Sequence, residues 1–86
     1  MTERNCTINW KLPRDADLGV QIAQLVQTAS RFSSSLQIRL DSKRANCKSI
    51  MGIMSLGLRN GQNVRITAEG EDEGEAAAAL AGVLGE

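Results

Sequence analysis

Histidine and tyrosine are both absent from this 86-residue chain, and Trp10 and Phe32 are its only aromatic residues. Without histidine the chain has no imidazole for general acid–base catalysis, phosphohistidine chemistry or metal binding. Two aromatic side chains leave almost no platform on which nucleic-acid bases could stack. The missing residue types therefore argue against a histidine-based enzyme and against a protein that reads bases.

Long apolar runs are also missing. No run is long enough to span a bilayer, and no N-terminal stretch resembles a signal peptide. We therefore expect a cytoplasmic protein without membrane contact, folded as a single domain over residues 1–86. Cys6 and Cys47 lack CxxC spacing and a secreted context, so we predict two buried free thiols.

The ten basic and ten acidic residues cancel in number but are unevenly distributed. Residues 1–65 hold all the Lys and Arg with four acids, whereas residues 66–86 hold six acids and no base. A net charge of zero gives no reason to expect nucleic-acid binding. One basic and one acidic surface would suit a domain that docks partners electrostatically, although ordinary solvated faces explain the distribution equally well.

The apolar pattern predicts four short strands. Alternation of apolar and polar residues indicates strands over residues 6–12, 36–40 and 64–68. After a tight turn at Asp41 and Ser42, residues 43–47 are predicted to return as the third strand.

Three helices are predicted between and after these strands. The first carries one apolar stripe after the loop at residues 13–17, where Pro13 ends the strand and Asp15 or Asp17 can cap the helix. Its stripe consists of Leu18, Ile22, Leu25, Val26 and Ala29. The last follows Gly70, with acidic residues in its first turn and alanines in its body. The order βαββαβα predicts a two-layer α+β sandwich.

The second helix belongs to the stretch from Asn46 to Leu58, where function most plausibly lies. Ser49 precedes an apolar run and is a typical helix cap, and Gly57 follows that run. The run has more apolar side chains than one face of so short a helix can hide: Ile50, Met51, Ile53, Met54, Leu56 and Leu58. This suggests a switchable docking surface beside Ser49. An ordinary capped core helix is the alternative.

Other functional motifs are missing. Residues 57–61 lack the strand–loop–helix context and the GK[ST] sequence of a phosphate-binding loop. The acidic residues 69–75 lack the order that wraps calcium, and Asp15 with Asp17 is better explained by helix capping. No metal ion or cofactor is predicted, and nothing supports an enzyme.

The chain resembles the HPr family, the histidine-containing phosphocarrier proteins of the bacterial sugar phosphotransferase system. Two segments carry the most specific part of this resemblance. Lys-Ser-Ile-Met-Gly-Ile-Met-Ser-Leu-Gly at residues 48–57 is similar to the regulatory-serine segment of Gram-positive HPr proteins. Ala-Glu-Gly-Glu-Asp-Glu at residues 68–73 is similar to the family's last strand-to-helix junction. The resemblance covers nearly the whole chain and implies an open-faced sandwich with three helices over a four-stranded antiparallel sheet of order 1-4-2-3. That order would place Cys6 and Cys47 at opposite sheet edges, so no disulfide is expected between them.

The resemblance fails at the family's phosphate-accepting histidine, which is followed by Arg and Pro at the start of the first helix. Here residues 12–21 are about three residues longer than usual, and aligning residues 24–26 places Leu18 at the histidine and Val20 at the arginine. This protein is therefore not expected to relay phosphate to sugar transporters. Acyl phosphate on Asp15 or Asp17 is a remaining alternative.

The regulatory serine is retained. The resemblance implies that Ser49 is phosphorylated by an HPr kinase/phosphorylase and that the phosphoprotein can act with a LacI-type regulator in carbon catabolite control. Partners would contact a surface made of Lys48, Ile50, Met51 and Met54, flanked by Val20, Ala23, Gln24 and Gln27. Catabolite-repression HPr-like (Crh-type) proteins also lack the histidine and keep the serine, but they retain the arginine that Val20 replaces. Repressor binding is thus more in question than recognition by the kinase. The alternative function is a binding module that uses its Met-rich patch without phosphorylation.

Overall fold

The computed structural model describes residues 1–10 and 18–85, and for Leu18 it describes the backbone only. The predictions that fall on residues 11–17 lie outside this part of the chain. They include the end of the first strand and the capping role of Asp15 or Asp17.

The described residues confirm the predicted α+β fold and its βαββαβα order. All strand pairs are antiparallel, and the sheet order is β1-β4-β2-β3, as the family resemblance implied. The elements are β1 (Thr2–Thr7), α1 (Leu18–Ser30), β2 (Ser35–Leu40), β3 (Lys43–Asn46), α2 (Ile50–Leu56), β4 (Asn63–Glu69) and α3 (Glu73–Val83).

The core lies between one face of the sheet and the helices. Alternate residues of β2 and β4 are buried, which is the pattern of strands with one covered face. Helices α1 and α3 contact each other, α3 packs on β1 and β4, and α2 packs beside β3 and α1. Fully buried side chains come from both layers, among them Leu25, Ile38, Ile53, Ile66 and Leu80.

The predicted position of the first strand is wrong. The alternation suggested residues 6–12, whereas β1 begins at Thr2 and its pairing with β4 ends at Thr7 opposite Asn63. Ile8 remains buried, but its backbone bonds to the turn before β4, accepting from Gly61 and donating to Gln62. The first half of β1 is exposed or half-buried and polar, and so it carries no apolar signal.

Hydrogen bonds of Trp10 join the chain after β1 to Asn60 and to the end of α3. Its backbone N–H donates to Asn60 Oδ1 at 2.7 Å, and its carbonyl accepts from Asn60 Nδ2 at 2.8 Å. Its indole Nε1 donates to the Val83 carbonyl at the end of α3 at 2.9 Å. These bonds satisfy the polar atoms of a residue that is only 5% exposed.

Asp72 joins the start of α3 to the segment before β2. Its carboxylate accepts the backbone N–H groups of Ser33 and Ser34, each at 3.0 Å, and also the Ser34 hydroxyl. The Ser34 hydroxyl and the Ser33 N–H lower the pKa of Asp72 because they stabilise its charged form. Gly70 permits this contact, because a Cβ there would lie 2.7 Å from the Ser34 Cα and the φ angle of Gly70 is +150°.

Within residues 1–10 and 18–85, no helix is long and apolar enough to cross a membrane.

Candidate functional site

Ser49 caps α2, as its sequence context predicted. Its extended backbone turns the chain into the helix, and its Oγ accepts the Gly52 N–H at 3.2 Å. Asn46 positions the approach to this cap, because its carbonyl accepts the Ser49 N–H and its Oδ1 accepts the Lys48 N–H. The helix ends at Gly57, whose φ of +67° is the left-handed conformation that glycine favours. Ser49 itself is exposed.

The apolar residues of α2 divide between the core and the solvent. Ile53 and Leu56 are buried. Met51 is 75% exposed, Met54 55% and Ile50 44%. An ordinary core helix does not account for three exposed apolar side chains within one and a half turns, so the prediction of outward-facing residues is confirmed.

Helix α1 contributes a second exposed stripe next to α2. Val20 is 60% exposed, and Gln24 and Gln27 are exposed at the i+4 and i+7 positions. Ala23 lies at the edge of this stripe and is half-buried. Helices α1 and α2 are in contact, and their exposed residues are among those that the sequence analysis assigned to one docking surface. We call this predicted docking surface the Ser49 surface: Ser49, Ile50, Met51, Met54, Val20, Gln24 and Gln27.

Lys48 differs from its neighbours because its ammonium group has a partner within the chain. Its Nζ donates to the Phe32 carbonyl at 2.8 Å, just beyond the end of α1, and the side chain is half-buried. A cation at this position satisfies a carbonyl left unpaired at a helix end. This bond orients the segment before Ser49 and uses one of the three N–H groups of the ammonium, so the contact of Lys48 with a partner stays a prediction.

The region of the expected phosphoacceptor histidine is apolar where it is described. Leu18 is the first residue of α1, and Val20 lies exposed in the first turn. Asp15 and Asp17, the alternative acceptors, fall outside the described residues. No group of three or more acidic or cysteine side chains that could hold a metal ion occurs in the part of the chain that is described.

The two cysteines are buried, and neither forms a disulfide, as predicted. Burial raises the pKa of Cys47 to about 12, so its thiol is protonated and inert at neutral pH. Cys6 lies on β1 and Cys47 directly follows β3, and these two strands are the opposite edges of the sheet.

Comparison with known proteins identifies the family. Residues 20–86 match the family model described as the PTS HPr component phosphorylation site. The structure resembles HPr-C-His from Thermoanaerobacter tengcongensis, with 45% identity, a TM-score of 0.85 and coverage of 98% of this chain and 91% of that one. The phosphocarrier protein HPr of Bacillus anthracis has 39% identity and a TM-score of 0.85, over 95% of this chain and 94% of that one.

A third similar structure is Crh, described as the catabolite repression HPr of Bacillus subtilis. It has 38% identity and a TM-score of 0.68, over 99% of this chain and 98% of that one. The fold, its strand order and these matches define an HPr-like protein. The chain belongs to the HPr family, and its relatives include both phosphocarrier HPr and Crh.

Proposed function

We propose that this protein is a non-enzymatic HPr-type regulator, phosphorylated on Ser49 by an HPr kinase/phosphorylase-type enzyme and acting by protein docking in carbon catabolite control. The observation that carries the proposal is an exposed serine hydroxyl directly beside exposed Ile50 and Met51. A phosphate on Ser49 would add almost two negative charges at the edge of an apolar surface, which changes the partners that the surface fits.

The residues themselves argue against a phosphohistidine relay. The 86 residues include no histidine, so no phosphohistidine can form on them. In the alignment that the resemblance implies, Leu18 lies at or near the position of the family's histidine and Val20 at that of its arginine. The relationship to Crh, whose description names catabolite repression, supports a regulatory role in place of the relay.

A LacI-type catabolite control regulator is the proposed partner of the phosphorylated form. Val20 offers it an apolar contact where an arginine would offer a charged one. Apart from Lys48, the exposed side chains assigned to docking around Ser49 are apolar or uncharged. We therefore expect the kinase to recognise this surface more readily than the repressor does.

The alternative is a docking module that needs no phosphate. It is favoured by the exposure of Met51 and Met54 in the unmodified protein, because flexible methionines adapt to different apolar partners. In that case Ser49 would be a helix cap only.

Phosphate uptake measured by intact mass separates the two functions. The wild type is incubated with ATP and an HPr kinase/phosphorylase, beside Ser49→Asn and Ser55→Ala. Asparagine keeps a capping oxygen but has no hydroxyl to phosphorylate. Ser55 is a matched control, because it is also an exposed serine of α2.

We expect one phosphate on the wild type and on Ser55→Ala, and none on Ser49→Asn. Phosphate on Ser49→Asn would overturn the assignment of the acceptor. A different result would be that none of the three proteins accepts phosphate. If the unmodified chain then binds a partner and Met51→Gln weakens this binding, the constitutive docking module is the correct function.

A further inference from the structure

The face of the sheet that is not covered by helices carries a row of three arginines. Strand register places Arg65 of β4 opposite Arg39 of β2, and Arg39 opposite Arg44 of β3. Asn5 of β1 lies opposite Arg65 and completes the row across all four strands. All four residues are exposed, whereas their strand neighbours Val64 and Ile38 are buried. We call Arg39, Arg44 and Arg65 the arginine row.

The arginine row is electrostatically unfavourable in the protein alone. Adjacent strands lie about 4.8 Å apart, and like charges directly opposite each other destabilise a sheet. Within the described residues, the only ion pair of the row joins Arg65 Nη1 to Glu3 Oε2 at 3.9 Å, and both side chains are about half exposed. A pair so long and so solvated offsets little of the repulsion.

Arg39 and Arg65 each use Nε for a hydrogen bond within the chain, which leaves both Nη atoms of Arg39 and the Nη2 of Arg65 available. Arg39 Nε donates to the Asp41 carbonyl and Arg65 Nε donates to Asn5 Oδ1, each at 3.1 Å. Asn63 Oδ1 likewise accepts the Thr7 hydroxyl at 2.8 Å. Because both amide oxygens already accept hydrogen bonds, the amide N–H groups of Asn5 and Asn63 are the groups left to bind a ligand. The arrangement is therefore rich in donors.

These donors surround a shallow depression of about 610 Å³, which is the size of a small-molecule site. Cys6 and Val64, whose side chains are buried, also line it, and Asp41 is the one acidic residue of its lining. The remaining lining residues are polar or basic: Asn5, Thr7, Arg39, Asn63 and Arg65. A second depression on the same face is also lined by Arg39 and Arg65, and it adds Arg44. A ligand that reached all three arginines would thus extend across two depressions.

We propose that the arginine row binds a small polyanion carrying at least two linked phosphoryl groups. Guanidinium groups bind phosphate oxygens through paired hydrogen bonds, and phosphoryl oxygens only accept, as this set of donors requires. One phosphoryl group would contact Arg65 and Arg39, and the next would contact Arg39 and Arg44. The concave shape and small volume favour a small molecule over a flat protein surface.

Calorimetric and amide-shift titrations with inorganic tripolyphosphate test this proposal, with orthophosphate for comparison at constant ionic strength. We expect saturable binding of tripolyphosphate at least about tenfold tighter than that of orthophosphate. The largest amide shifts should fall at Asn5, Arg39, Asn63 and Arg65. Ser49 and Met51, which lie in the separate helix α2 and its cap, should not respond.

Arg39→Gln should weaken tripolyphosphate binding by at least about tenfold, because it removes the arginine shared by both phosphoryl groups. Arg39→Lys should restore part of the affinity, since it returns the charge without the paired donors. Arg59→Gln is the matched control: it removes one exposed arginine outside the sheet and should leave binding unchanged.

Equal losses in Arg39→Gln and Arg59→Gln would reduce the effect to net charge and overturn the site. Equal affinity for orthophosphate and tripolyphosphate would also overturn the site, and so would amide shifts centred on Ser49. The amide spectrum of each free variant shows whether it is folded. If Arg39→Gln is not folded, Arg39→Lys compared with Arg59→Lys decides, and equal binding by these two variants contradicts the proposal.

Discussion

Ser49 carries two separable properties, a capping oxygen and a hydroxyl that can accept phosphate. Its Oγ satisfies one of the unpaired N–H groups in the first turn of the seven-residue α2. Ser49→Ala should therefore lower the free energy of unfolding by about 0.5–2 kcal/mol, and Ser49→Asn by only a few tenths. Urea unfolding of the unphosphorylated proteins measures both changes. Equal losses for Ala and Asn would show that the cap contributes little to stability.

Asp72 should make the fold sensitive to acid. Hydrogen bonds from Ser34 and Ser33 lower its pKa below the ordinary value of 3.8, so the carboxylate stabilises the fold when it is ionised. This contribution is fully present above pH 3.8 and is lost as the pH falls through the lowered value. Asp72→Asn should therefore reduce stability at neutral pH and flatten the decline in stability below about pH 4.

Thermal unfolding of Asp72→Asn at a series of pH values measures this effect. Glu71→Gln is the control, because Glu71 is an exposed neighbouring carboxylate. An unchanged acid profile in Asp72→Asn would contradict the assigned role of the three contacts from Ser33 and Ser34.

The hydrogen bond of Lys48 shows what sequence reasoning missed at the scale of single residues. Its place beside Ser49 suggested contact with partners, which stays a prediction, but it did not show that the ammonium donates to the Phe32 carbonyl, sixteen residues earlier in the chain. The long lysine side chain can reach several acceptors, and tertiary contacts decide among them. The role of Asn46 was also missed. Its side-chain oxygen accepts the backbone N–H of Lys48, two residues later, which is a local turn motif typical of asparagine.

At the scale of elements, α2 was predicted accurately and β1 was not. The start of α2 has a serine cap and its end has a glycine, and both signals act within a few residues. The position of β1 depends on where β4 can pair with it, which is a long-range property. Residues 8 and 10 are buried like strand residues, so their alternation was real, but their backbone groups bond to the turn before β4 and to the Asn60 side chain instead of to a strand.

The protein should become more stable when Arg44, on the edge strand β3, loses its charge. Arg44 lies directly opposite Arg39, and like charges that face each other across two strands destabilise a sheet. Arg44→Gln should raise the free energy of unfolding by a few tenths of a kcal/mol at low salt. The gain should disappear near 1 M salt, where the Debye length is about 3 Å.

Urea unfolding at the two salt concentrations measures the gain, with Arg59→Gln as the control outside the sheet. A loss of stability in Arg44→Gln at both salt concentrations would mean that packing of the arginine side chain outweighs its charge.

For the molecule as a whole, local periodicity and the family resemblance were enough to predict the layers and strand order. They could not predict how surfaces on different elements combine. The contact between α1 and α2 depends on how the two helices pack, and the arginine row depends on strand register. The uneven distribution of charge in the sequence was visible, but it did not show that three arginines share one row.

The contacts of Trp10 also give the protein an internal spectroscopic probe. Trp10 is the only tryptophan, and the chain has no tyrosine to contribute to its emission. Its indole and backbone join the end of the β1 segment to Asn60 and to the last turn of α3, residues that are far apart in sequence. Tryptophan fluorescence therefore reports on the assembly of three distant parts of the chain from a single buried site, without any added label.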